Sequence, residues 1–208
     1  MQDKANKDLF DLISALSGNS DFTTAEISQL LALANRRFFQ AYNTTPYWAR
    51  YLTVGEERTI ANSIVPFTQT SKTTIGEFLR IHREEPFLRN STIDFEFFVE
   101  SDGAHVINLT ASDATSVYVT YRQPITLLTT LDNAGTGGEQ EVPQEYFYFM
   151  AHATYADFLR MDGQHSKAAF EEEIAKQYLD ESLDNPQQVY NNNTVGHRIK
   201  TYVSQQSR

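Results

Sequence analysis

The spacing of apolar residues changes three times along the chain, and each change marks a different kind of element. Near the start, Leu9, Leu12, Ile13 and Leu16 share one helical face, and Gly18-Asn19-Ser20 supplies the stop. A stronger signal follows at Phe22-Thr23-Thr24-Ala25-Glu26-Ile27. Thr23 can cap the first backbone amides, Glu26 three residues on completes a capping box, and Phe22 can staple onto Ile27. Ile27, Leu30, Leu31, Ala34, Phe38 and Tyr42 then keep the i, i+3, i+4, i+7 spacing of one buried face, ending near Asn43 ahead of Pro46. Two antiparallel helices are expected to open the chain.

Between about residue 51 and residue 141 the period shortens to two, and Thr and β-branched residues replace the helix formers. Ile93, Phe95, Phe97 and Val99 read as one face of a strand, with Asp94, Glu96 and Glu100 opposite and Asp102-Gly103 turning the chain into His105 to Leu109. Phe98 breaks that alternation and suggests a partner-facing position. Val117, Val119 and Tyr121 alternate with Tyr118, Thr120 and Arg122 in a further strand, Ile75 to Ile81 forms a weaker one, and Asn133 to Gly138 reads as a loop.

Helical spacing returns at Val142-Pro143, with proline suited to the first helical position and Phe147, Met150, Ala151, Thr154 and Phe158 on one face. Asp162-Gly163 turns the chain, Ser166 offers a cap, and Phe170, Ile174 and Tyr178 step by four, so residues 143–183 are expected to form an αα-hairpin closed by Pro186. The remaining 25 residues, rich in Asn and Gln, carry almost no aliphatic periodicity and read as an extended tail. The expected fold class is α+β: a helical bundle, made of the N-terminal helix pair and the C-terminal hairpin, with an antiparallel β insertion and an extended C-terminal tail. The segments are 1–50, 51–141, 142–183 and 184–208.

Length and charge narrow the functional classes. At 208 residues the chain suits one domain or one domain carrying an insertion. With 17 basic and 27 acidic residues its net charge is −10, which disfavours binding free duplex DNA through the overall field. The charge is uneven: residues 184–208 carry 3 basic groups and 1 acidic group, so a mildly basic arm follows an acidic body. The absence of cysteine removes disulfides, thiolate zinc sites and cysteine nucleophiles together. The longest apolar run, Tyr146 to Ala151, is six residues, where a bilayer span needs about 20, and Met1-Gln2-Asp3-Lys4 lacks the apolar core of a signal peptide. A soluble protein made in cytoplasm is expected.

Catalytic motifs are weak. There is no G-x-S-x-G, Walker loop or G-x-G-x-x-G, and Gly135-Thr136-Gly137-Gly138 reads as a loop tip. His82, His105, His152, His165 and His197 lack a short metal-ligand spacing. His152 reads as a packed or hydrogen-bonded residue and His165 as a surface one. Glu171-Glu172-Glu173 reads as a solvated helix face, because consecutive helical residues point about 100° apart. Glu77, Glu84, Glu85, Glu96 and Glu100 could supply a carboxylate pair for glycoside cleavage, although the solvent face of a strand accounts for Glu96. Arg36-Arg37 and the group Arg80, Arg83 and Arg89 read as surface ion pairs among acidic neighbours. Tyr47-Trp48 with Arg50-Tyr51 follows Pro46 at a helix end, and two roles stay open for Trp48: a core plug at the junction of helical and β parts, or a subunit contact.

The order of segments resembles the head-to-tail adaptor, or connector, proteins of tailed bacteriophages. The resemblance rests on the opening helix pair running into Tyr42-Asn43-Thr44-Thr45-Pro46-Tyr47-Trp48-Ala49-Arg50-Tyr51. It rests equally on the closing hairpin, where Val142-Pro143-Gln144-Glu145-Tyr146 begins one helix and Met161-Asp162-Gly163-Gln164-His165-Ser166-Lys167-Ala168-Ala169-Phe170 leads into the next. It implies a virion neck protein, assembled in host cytoplasm, forming a homo-oligomeric ring of about twelve subunits. The ring would sit between the portal protein and the tail tube or nozzle protein. Genomic DNA would pass through it without sequence-specific binding. No catalysis, cofactor, metal or membrane is implied. Family arms of this kind commonly reach the portal, which puts Tyr190, His197, Arg198, Ile199 and Tyr202 forward as portal contacts. The alternatives are a head-closure or other tail-completion protein and, less favoured, a virion-associated wall hydrolase.

Overall fold

A computed structural model describes residues 3–86, 94–109, 115–131, 140–185 and 188–189, and within them the chain is mixed α+β, with four helices and antiparallel sheets. It divides into two compact units. One takes in the described residues of Met1–Thr45 and Thr126–Arg208, the other those of Pro46–Ile125.

The helical unit contains α1 (Asn6–Ser17), α2 (Thr24–Thr44), α3 (Gln144–Met161) and α4 (His165–Asp184). The capping box of α2 forms as its sequence demands: Glu26 N–H donates to Thr23 Oγ1 at 3.3 Å, and Thr23 N–H donates to Glu26 Oε2 at 2.7 Å. These bonds from Thr23 backbone and hydroxyl hold the Glu26 carboxyl below its ordinary pKa. Thr23→Ala is expected to destabilise the helical unit by about 1 kcal/mol, measured as a shift of the urea midpoint followed by helical circular dichroism. The Phe22 ring packs on Phe10 and Phe158, with both centroid distances 5.8 Å.

The opening helices are not chiefly each other's partners; both pack on α3. That helix is therefore central. Its buried residues include Tyr146, Phe149, Met150, Ala153, Ala156 and Leu159, which go well beyond the single face expected, because neighbours cover it on several sides. In α4 the expected stripe is displaced. Phe170 is 64% exposed, while Ala168, Ala175 and Leu179 are buried, since small residues let α4 approach α3 closely. Ser166 does not cap α4: the helix already begins at His165, and its N-cap Gln164 makes no side-chain cap bond. Pro143 likewise precedes the first helical residue of α3 rather than occupying it. Among the described residues no helix is long and apolar enough to cross a membrane.

Two asparagine contacts tie connecting segments to this unit. Asn35 Nδ2 donates to Leu128 O and its Oδ1 accepts from Leu128 N–H, both at 2.8 Å, and Asn6 Nδ2 donates to Thr130 O at 2.8 Å. A two-stranded antiparallel ladder joins β1 (Lys4–Ala5) to β8 (Glu141–Val142).

The second unit is β-rich. β2 (Leu52–Thr59), β7 (Ser116–Arg122) and β4 (Glu77–His82) form an antiparallel sheet with β7 in the centre. A second sheet has β6 (Gly103–Val106) between β3 (Ile64–Pro66) and β5 (Phe97–Glu100). Val65, Ile81, Val117, Val119 and Tyr121 are fully buried within one apolar cluster, with Phe78 and Val106 beside them. The β5–β6 hairpin turns at Ser101-Asp102, because Glu100 pairs with Gly103; Gly103 is thus already in the ladder. Val99 is 51% exposed, although its ladder partner Ala104 is buried in the cluster.

Candidate functional site

The residues put forward above as portal contacts, Tyr190, His197, Arg198, Ile199 and Tyr202, lie outside the described residues, as do Ile93, Arg89, Gly135 to Gly138 and Pro186. In the Tyr47–Tyr51 segment, Trp48 is completely buried, whereas Tyr47 and Arg50 lie on the surface and Tyr51 is half-buried. Backbone bonds from Tyr51 N–H and Leu52 N–H to Trp48 O, each 3.0 Å, make this segment a tight turn into β2, and Gln123 N–H anchors Tyr51 O at 2.7 Å. A buried indole is a core group, so Tyr47 and Arg50 are the members able to meet another molecule.

A charged cluster in the helical unit centres on Arg37, expected at the surface but buried. Its Nε and Nη2 donate to the two carboxylate oxygens of Asp157 on α3, both at 2.7 Å. The same guanidinium reaches Glu172 on α4 at 2.9 and 2.7 Å and Gln40 Oε1 at 2.8 Å. Arg36 and Arg160 add bonds to Asp157 at 2.7 and 2.9 Å, and Arg160 also meets Glu172 at 3.0 Å. Burial opposes the charge on Arg37, but bonds to Asp157 and Glu172 outweigh it and raise its pKa. Burial would likewise raise Asp157, yet Arg37, Arg36 and Arg160 hold its carboxyl below the ordinary value. This cluster fastens α2, α3 and α4 together and corrects both the surface-pair reading of Arg37 and the solvated-face reading of Glu172. Glu171 is similarly engaged, with its Oε2 2.7 Å from His152 Nδ1, while Tyr178 stacks on His152 and Tyr148. His165 is exposed.

In the β unit, fully buried Arg58 pairs with Glu56 at 2.6 Å, donates to Tyr121 Oη at 2.9 Å and to Thr73 O, and lies over the Tyr121 ring. Nearby, His82 Nδ1 is 2.6 Å from Asp94 Oδ1 and His82 Nε2 is 3.0 Å from Thr120 Oγ1. The sequence Asp–His–hydroxyl is that of a proton relay. Here Thr120 is only 7% exposed and its Oγ1 also accepts from Gly55 N–H at 3.3 Å, so the hydroxyl serves as a bridge between β2, β4 and β7.

The carboxylates proposed for glycoside cleavage occupy different surroundings. Glu77 pairs with Arg122 at 3.3 Å on neighbouring strands, Glu84 and Glu85 follow β4, and Glu96 and Glu100 lie on the β5 side of the hairpin. Glu100 is brought together instead with Asp102 and His105, whose ligand-capable atoms lie within 4.8 Å of one another. A hydrogen bond of 2.9 Å from His105 Nε2 to Asp102 Oδ1 holds that carboxyl below its ordinary pKa. His105 also stacks on exposed Phe98, at 4.9 Å between centroids and 12° between planes. Spacing along the strand does not announce this group; it forms because the two-residue turn places positions 98 and 105 opposite each other.

No protein-family model matches the chain, and no curated protein matches it.

Proposed function

We propose that this chain is a head-to-tail adaptor of a tailed bacteriophage: a structural neck protein that joins the portal to the tail tube or nozzle and contributes to the channel through which DNA passes. The observation that carries the reading is the discontinuous helical unit. Helices before Thr45 and after Thr126 belong to one compact body, and a separate β-rich body is inserted between them. That arrangement agrees with the layout implied by the sequence resemblance: helix pair, β insertion, helix hairpin, polar tail. The helices form the ring-building body as a bundle around α3, and twelve copies surround the channel. An acidic subunit of net charge −10 also suits a passage that must not retain phosphates.

The polar, mildly basic segment 184–208 is the portal-binding arm. Mixing the full-length chain with the portal of its own phage is expected to yield a ring-on-ring complex in mass measurements by sedimentation. Binding to a completed tail but never to portal would instead favour head closure or tail completion.

A further inference from the structure

Among the described residues, no partner covers the apolar face of the β5–β6 hairpin. Phe98 is 48% exposed and Ile107 38% exposed, and the ladder sets Phe98, His105 and Glu100 on one side of the strand pair; Ile107 N–H to Glu96 O, at 2.8 Å, continues that side. β5 is also an outer strand of its sheet among the described residues. Clustered exposed apolar residues of this kind mark interaction surfaces, whereas scattered ones do not.

The helical unit carries a feature of the opposite form. Leu16 of α1, Tyr155 and Leu159 of α3, and Lys167 and Phe170 of α4 line a groove of about 330 Å³. Phe170, 64% exposed, stands at its edge. The hairpin is acidic, whereas the groove lining carries one cation, Lys167, and one acid, Glu171. The hairpin presents Glu96, Glu100 and Asp102, all exposed, while the groove rim is the first turn of α4, which contains His165 and Lys167 and no acidic residue. Glu171, the acid that also lines the groove, is held by His152.

We propose that the hairpin of one copy docks in the α1/α3/α4 groove of a second copy, with Phe98 against Leu159 and Phe170 and the Glu100–Asp102 end facing Lys167. A hairpin-to-hairpin contact is disfavoured because it would set these carboxylates against themselves. The two surfaces differ, so the contact is heterologous: each copy keeps one hairpin and one groove free for further neighbours, and repetition closes a ring when the rotation permits. This deepens the adaptor reading, on which it rests, by naming the contact between ring neighbours.

The cysteine-free sequence permits a direct test with little background. Full-length chains carrying Glu100→Cys and Lys167→Cys are mixed and treated with a short thiol-to-thiol cross-linker, alone and with portal present. The expected product is a covalent heterodimer, with yield falling at least tenfold when Phe98→Asp is added to the first chain or Phe170→Asp to the second. Both phenylalanines are exposed, and circular dichroism verifies that these variants retain the fold. A matched pair using Lys176→Cys, farther along α4, is expected to give only background. The proposal is overturned if cross-linking is absent in both conditions, if Phe98→Asp leaves the yield unchanged, or if the Lys176 pair reacts equally. Failed cross-linking with intact portal recruitment would discard this contact and leave the adaptor reading standing. Cross-linking without portal recruitment would support the contact between copies and remove the proposed partner.

Discussion

Arg37→Ala is expected to destabilise the helical unit by about 3–5 kcal/mol, because truncating one member of a buried ion pair leaves the other charge desolvated and incompletely bonded. Arg37 and Asp157 are each at most 5% exposed, and the guanidinium engages both Asp157 oxygens and both Glu172 oxygens. Asp157→Ala should cost a similar amount. The double variant should cost clearly less than the two single losses together, since removing both partners avoids stranding either charge. Urea denaturation of the four chains measures this coupling, and strictly additive losses would show that the pair acts independently.

The same pair predicts an acid dependence. Because the Asp157 carboxyl is held below its ordinary pKa, its contribution is present above the unfolded value of about 3.9 and is lost as pH falls through the lower folded value. Asp157→Asn lacks that contribution throughout. The stability gap between wild type and Asp157→Asn should therefore narrow as pH falls below about 4. A gap that is flat or widens over that interval would contradict the assignment.

A second large effect is expected at Gly103. Its φ is +151°, and an added Cβ would lie 2.2 Å from Val65 O and 3.0 Å from Pro66 Cα, both backbone atoms of the paired strand. Gly103→Ala must combine an unfavourable backbone conformation with displacement of β3, a total of about 3 kcal/mol or more. Gly18 provides the comparison: its φ is +68°, but its added Cβ would meet nothing within 4 Å. Gly18→Ala should cost only about 1 kcal/mol. Similar losses at the two positions would mean that contact with β3 contributes little at Gly103.

The elements legible from sequence were those whose signal is local. Thr23 and Glu26 declare the start of α2, Gly18 ends α1, and alternating Val117, Val119 and Tyr121 mark β7. β2 carries no clear strand pattern, because Gly55 and the run Glu56-Glu57-Arg58 interrupt its alternation, and the ladder itself shifts register between Thr53 and Glu56. Arg37 reads as a surface cation by residue type, yet it falls on the buried stripe of α2, three residues after Ala34 and four before Ala41. A cation there requires an acid from a facing helix, and Asp157 lies 120 residues away in sequence. Phe170 failed for the opposite reason. Its four-residue spacing with Ile174 and Tyr178 imitates a core stripe, whereas Ala168 and Ala175 form the close contact.

The proposed adaptor function is tested most directly by comparing the 208-residue chain with one ending at Leu183, each measured by sedimentation alone and after mixing with the portal protein proposed as its partner. The account predicts that the full-length chain joins the portal as a ring and that the shortened chain, with the same helical circular dichroism, remains unbound. Failure of the full-length chain to bind portal would contradict the adaptor function, and equal binding by both chains would contradict the docking role assigned to residues 184–208.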